Sequence, residues 1–135
     1  MSEPRRPMPD LGDPLVAPFF AATAEGRLVV QRCAECGYLR WPPGPLCPQC
    51  QTVGGDWADV RPAGALYSYA TYQRALGRAF ADDVPYTVGL IELDDGPRMY
   101  GRLIGDHEAA RVGMRVQAVF EPVTPEVTFV RWAPL

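Results

Sequence analysis

From residue 64 onward, apolar and polar positions alternate with the period of two that marks half-buried strands. ALYSYATY predicts a first strand, with Tyr67, Tyr69 and Thr71 on one face and Leu66, Ser68 and Ala70 on the other. PYTVGLIEL reads as a second strand, and DDGP turns it into RMYGRLI. DHEAARVGM predicts a short helical connection, after which RVQAVFE and VTFVRW complete a set of five. Residues 73–84, QRALGRAFADDV, form the one long connection with no clear period. Five strands with a helix or loop after the third match a small Greek-key barrel, the OB-fold, expected to carry a core of its own. An SH3-like barrel is the alternative that the pattern leaves open.

The first half of the chain is organised differently. Residues 1–18 carry Pro4, Pro7, Pro9, Pro14 and Pro18 with few large apolar groups, which predicts an extended or disordered segment. PFFAATAEG reads as a two-turn helix with Pro18 in its first turn and Gly26 ending it. Such a helix is marginal alone and must dock on something. Phe19 and Phe20 are adjacent and point about 100° apart, so one is expected to pack on the parent domain and the other to face a partner. RLVVQR then leads into CAECGYLRWPPGPLCPQC, and the chain leaves through QTVGGDWADV, where Gly54 and Gly55 mark a turn. The expected division is a tail and helix at 1–26, a cysteine-bearing module at 27–59 and the barrel at 60–135.

Composition narrows the chemistry. No apolar run approaches the ~18 to 20 residues that span a bilayer, and MSEPRRPMPDLGDP has no apolar stretch behind its arginines. A cytoplasmic location with reduced thiols is therefore expected. All 13 basic residues are arginine, and the net charge is -3, the wrong sign for a duplex nucleic-acid binder. The charge is uneven. Residues 61–81 hold Arg61, Arg74 and Arg78 and no acid, whereas acids outnumber arginines in 82–135.

All four cysteines fall in residues 33–50, as two Cys-x-x-Cys pairs. A bridge within Cys-x-x-Cys closes a small, strained loop, and a redox motif needs one pair beside a βαβ unit rather than two pairs without it. Two such pairs joined by a short hairpin supply the four thiolates of a tetrahedral Zn²⁺ site, which assigns Cys33, Cys36, Cys47 and Cys50 as ligands. Iron held in the rubredoxin manner would use the same set. Four thiolates leave no open position, so the metal is expected to be structural. Gly37 follows the first pair where a knuckle turn favours φ > 0, whereas Gln51 follows the second. The site's formal charge of -2 would offset most of Arg27, Arg32 and Arg40. His107 reads as a surface residue, and Asp82-Asp83 and Asp94-Asp95 as loop and turn carboxylates; no nucleophile–base–acid spacing is present. An OB-fold would also permit a single-stranded nucleic-acid binder, for which Arg98, Tyr100 and Arg102 share a strand face.

The segments APFFAATAEGRLVVQRCAECGYLRWPPGPLCPQC, GALYSYATYQRA, VPYTVGLIELDDG, YGRLIG and VGMRVQAVFEP, in that order, resemble the zinc-ribbon OB-fold family once catalogued as domain of unknown function 35. The resemblance implies a mainly β chain, with a short amino-terminal helix and a rubredoxin-like zinc ribbon preceding a five-stranded OB-fold barrel. It also implies a non-catalytic companion of thiolase-superfamily enzymes acting on acyl-CoA: thiolases, acyltransferases or the lipid-transfer-protein-like aldolases of steroid degradation. Some members are fused to hotdog-fold hydratases. Under that reading Phe19 and Phe20 are candidate partner contacts, and Arg74 and Arg78 are candidate contacts for CoA phosphates. Gln51 is a minor departure, because the family's second knuckle usually ends in glycine.

Overall fold

A computed structural model describes residues 6–135. The helix forms where expected, as α1 (Ala17–Ala24), with Pro18 in its first turn. It ends in a Schellman turn: Gly26 N–H donates to Thr23 O and Arg27 N–H to Ala22 O, with Gly26 at φ 75°. The proline-rich approach is more ordered than its composition predicts. Asp10 and Asp13 accept backbone N–H groups two residues ahead, from Gly12 and Leu15, and Ala17 N–H donates to Asp13 O. These side-chain turns fold residues 10–16 onto the start of α1. The remaining proline-rich residues, 1–5, lie outside the described residues.

The first sheet holds three antiparallel strands, β1 (Leu28–Arg32), β2 (Leu39–Arg40) and β3 (Asp56–Val60), in the order β2-β1-β3. DWADV, which the sequence predicts as part of the exit from the cysteine module, pairs with β1 at every position from Leu28↔Val60 to Arg32↔Asp56. Its side chains carry no clear alternation. Pairing with β1 makes it a strand.

The second sheet is a closed barrel of β4 (Ala63–Tyr72), β5 (Tyr86–Leu93), β6 (Arg98–Leu103), β7 (Arg115–Pro122) and β8 (Thr128–Pro134). Its order, β4-β5-β6-β8-β7, closes through a parallel β6–β8 pair and an antiparallel β7–β4 pair. That is the OB-fold. The connection DHEAARVGM contains a one-turn 3₁₀ helix at His107–Ala109, and a second such turn, Arg78–Phe80, interrupts the long 73–84 connection. No helix among the described residues is long and apolar enough to cross a membrane.

Strict alternation fails in β4. Leu66 pairs with Ile91 but Ser68 pairs with Leu90, so Tyr67 is a bulge and the facing reverses there. Leu66 therefore shares the inner side with Tyr69 and Thr71 rather than with Ser68 and Ala70. At the centre of the barrel, Gly89 and Gly101 are cross-strand partners. A Cβ on Gly101 would overlap the Trp132 indole, and one on Gly89 would press on Leu66. The missing side chains leave room for those two fully buried residues.

The expectation of a separate barrel core is corrected. Phe19, Ala22, Leu28, Val29, Val30 and Val60 form one continuous buried cluster with Leu66, Ile91, Met99, Val116 and Trp132. α1 joins the two halves by packing on β1 and on β8. Its Thr23 hydroxyl donates to Thr128 O at 2.8 Å, a fully buried link between helix and barrel.

If the glycine pair exists to seat Trp132, Gly101→Ala should lower the unfolding free energy by about 1–3 kcal/mol, the usual cost of overpacking. Urea denaturation checks this, and a change below about 0.5 kcal/mol would contradict it.

Candidate metal centre and partner-facing surface

The cysteines sit on two matching turns. Gly37 N–H donates to Cys33 O at 3.0 Å and Gln51 N–H to Cys47 O at 2.8 Å. Both following residues are left-handed, Gly37 at φ 75° and Gln51 at φ 63°. Glycine adopts that conformation freely; Gln51 does so at a cost of about 1 kcal/mol, which the closed turn must offset.

The turns point four free thiols at one another. Cys33 Sγ lies 3.5 Å from Cys50 Sγ, Cys36 Sγ lies 3.7 Å from Cys47 Sγ, and all four fall within 4.8 Å of one another. Metal–sulfur bonds of about 2.3 Å in a tetrahedron require sulfur–sulfur edges of about 3.8 Å. The set fits a tetrahedral ion, with Cys33 and Cys47 buried and Cys36 and Cys50 at the surface.

The electrostatics of the sulfurs point the same way. Bonds from the Thr52 hydroxyl and backbone N–H, with help from Cys33, bring the Cys50 thiol down to about 6. The Tyr38 backbone draws Cys36 down, but desolvation and the neighbouring sulfurs of Cys50, Cys47 and Cys33 prevail and push it up to about 12. Each thiolate formed makes the next more costly, so four together need a cation between them.

Two of the three arginines near the site have other work. Arg27 bonds Asp59 at 2.6 Å and Glu25 at 3.2 Å, and these carboxylates raise its pKa. Arg32 is exposed. Arg40 is 5% exposed: its Nε donates to Gln31 Oε1 at 3.0 Å, and its Nη2 to Gly44 O and Gly54 O. Gln31 Oε1 also accepts Gly44 N–H at 2.7 Å, so this buried pair ties the proline-rich hairpin tip to β1. Nothing in the spacing of Gln31 and Arg40 marks them as partners. Thr52 and Thr23 were equally silent.

Phe19 and Phe20 divide as adjacent residues must. Phe19 is 8% exposed, with its ring 4.6 Å from that of Trp41, and is the packing member. Phe20 is half-buried, edge-on to Phe19 at 5.2 Å and 6.4 Å from Phe129. It lines a surface groove of about 340 Å³ together with β6 and β8 residues. Arg74 and Arg78 are exposed on the 73–84 connection, with no carboxylate partner among the described residues.

Three of the four candidate acids are bonded. Asp94 takes Arg115 bidentately at 2.7 Å, which lowers its pKa, and Asp95 accepts Arg61 N–H at 2.7 Å, which lowers its own. Asp83 holds both Arg6 and Arg102, while Asp82 is exposed. His107 is partly exposed beside Glu108, at the rim of a cleft of about 220 Å³. Arg98, Tyr100 and Arg102 do share the outer face of β6. However, Arg98 bonds Glu92 and stacks on Tyr67, and Arg102 bonds Asp83 and stacks on Tyr86. Both guanidinium groups are thus held in place by a carboxylate and a ring of this chain.

Comparison with known proteins fits these parts. Residues 20–52 match the family model for the ChsH2 rubredoxin-like zinc ribbon domain, and residues 57–121 match that for the ChsH2 C-terminal OB-fold domain. A protein of Thermomonospora curvata named "Probable enoyl-CoA hydratase alpha subunit" is 37% identical over 86% of this chain, but this chain spans only 36% of its length. The same share holds for a 3-oxo-4,17-pregnadiene-20-carboxyl-CoA hydratase alpha subunit of Mycobacterium tuberculosis, at 30% identity over 86% of this chain. A DUF35 domain-containing scaffold protein of Methanocaldococcus jannaschii is 29% identical over 71% of this chain and 69% of its own. Among solved structures, a chain of an Ltp2–ChsH2(DUF35) aldolase superposes with a TM-score of 0.78 at 37% identity, covering 87% of this chain and 92% of that one. With its thiol tetrad, its OB barrel and a match that covers 92% of that chain, the chain belongs to the ChsH2-type zinc-ribbon OB-fold family, DUF35.

Proposed function

We propose that this chain is a non-catalytic accessory subunit of a thiolase-superfamily enzyme that acts on acyl-CoA: a thiolase, an acyltransferase or an aldolase of steroid side-chain breakdown. The observation that carries the reading is the 37% identity to a chain of the Ltp2–ChsH2(DUF35) aldolase, over 92% of that chain. A benzoylsuccinyl-CoA thiolase subunit of Thauera aromatica, 32% identical over 62% of this chain, and the two hydratase alpha subunits support the same substrate class. On the same reading a hotdog-fold hydratase is a second partner.

On this reading the ribbon is a structural element filled by Zn²⁺, bound by Cys33, Cys36, Cys47 and Cys50 in a cytoplasm that keeps thiols reduced. Phe20 contacts the partner from its half-exposed position, while Phe19 supports it from beneath. Arg74 and Arg78 meet the CoA phosphates at the mouth of the partner's active site, since exposed guanidinium forks without carboxylates suit bidentate phosphate contact.

The metal assignment predicts about one zinc per purified chain by elemental analysis. Cys33→Ser should abolish it and lower the thermal midpoint. A metal-free native protein, or iron in place of zinc, would contradict it.

The accessory role predicts that a thiolase-superfamily enzyme of the same organism cleaves or transfers its acyl-CoA fully only after reconstitution with this chain. Full turnover by the enzyme alone, or turnover by this chain alone, would each defeat the reading.

A further inference from the structure

We infer that the open seam between β6 and β8 is a docking groove for an extended, apolar segment of the partner enzyme that carries a carboxylate. This rests on the accessory-subunit reading and goes on to name the surface used and the chemistry that fills it.

The seam is where the barrel closes least completely. β6 is paired with β5 from Arg98 to Leu103, and β8 with β7 from Thr128 to Pro134. The two strands meet each other only at Arg102↔Arg131 and Leu103↔Trp132. Before those pairs no ladder joins them, and residues 99–101 and 129–131 line the groove of about 340 Å³. α1 lies along one wall of this seam through Phe20 and Phe129, and the space left between the strands has the form of a groove in which an extended peptide can bury its side chains.

The lining is aromatic. Phe20, Trp41, Phe80, Tyr100 and Phe129 surround the groove, and Tyr100 is 74% exposed on β6. Rings of this kind are the usual anchors of protein interfaces, because they bury much area at little entropic cost.

The charge has one sign. Arg6, Arg102 and Arg131 line the groove, and none of its lining residues is acidic, in a chain of net charge -3. Carboxylates outside the groove hold the three in place. Asp83 takes Arg6 at 2.6 Å and Arg102 at 3.1 Å, and Glu121 takes Arg131 Nε at 3.0 Å. Both terminal nitrogens of Arg131, and one each of Arg6 and Arg102, keep their N–H groups free of bonds among the described residues. Guanidinium groups positioned in this way bind a carboxylate at the edge of an apolar strip. An extended peptide with apolar side chains and an adjacent Asp or Glu satisfies the rings and the arginines together.

The test uses the full chain and the thiolase-superfamily enzyme of the reconstitution above. Affinity is measured by calorimetry for wild type, Tyr100→Ala, Arg131→Ala and the remote surface variant Val112→Ala, each confirmed folded by circular dichroism. A photo-crosslinking amino acid at position 100 maps the contact. The groove predicts at least about tenfold weaker binding for Tyr100→Ala and for Arg131→Ala, and none for Val112→Ala. Cross-links should fall on a partner segment in which an acid adjoins apolar residues, and octanoyl-CoA should not compete. A complex indifferent to Tyr100 and Arg131, cross-links to another surface, or competition by octanoyl-CoA overturns the groove and leaves the accessory role standing. Absence of any complex with wild type overturns both.

Discussion

The buried bond from the Thr23 hydroxyl to the carbonyl of Thr128 holds the arrangement on which the molecule depends. It fixes an eight-residue helix, too short to persist alone, in the angle between the ribbon sheet and the barrel. Ala22 and Phe19 of the same helix enter the common core, so ribbon and barrel share one apolar interior. The same hydroxyl lies 3.1 Å from Phe20 O of its own helix, so the contact to Thr128 adds about 0.5–1.5 kcal/mol and a fixed direction to the packing that positions the two halves. The consequence reaches the surface. With α1 held there, Phe20 and Trp41 come to lie beside β6 and β8, and the groove acquires its aromatic wall.

The metal centre depends on a different economy. The knuckle turns create a crowded set of sulfurs whose own repulsion opposes full ionisation, a conflict that a cation between them would remove. The Gln31–Arg40 pair closes the proline-rich tip by hydrogen bonds to carbonyls. The ribbon is therefore held by polar contacts at one end and by the shared core at the other.

Much of this was legible in the residues, and for identifiable reasons. Cysteine spacing is a local signal, and it located all four thiols that the fold brings together. Alternation located the five barrel strands because their inner faces must be apolar. It failed at Tyr67, where a bulge changes the facing without changing the composition. It also missed β3, whose Asp56, Trp57 and Asp59 follow no period and are extended only because β1 pairs with them. Phe19 and Phe20 were seen to diverge, but which one packs is decided by Trp41, more than twenty residues away. Thr23, Gln31 and Arg40 left no trace, since a polar residue's burial depends on partners that only the fold supplies.

The central claim is that α1 makes ribbon and barrel one cooperative body, and native-state hydrogen exchange tests it most directly. In the metal-loaded protein, amides of the β1–β3 ladder and of the β5–β6 ladder should open with the same free energy and converge on the same denaturant dependence. A ribbon ladder that exchanges through its own low-energy opening, while the barrel stays protected, would contradict the account.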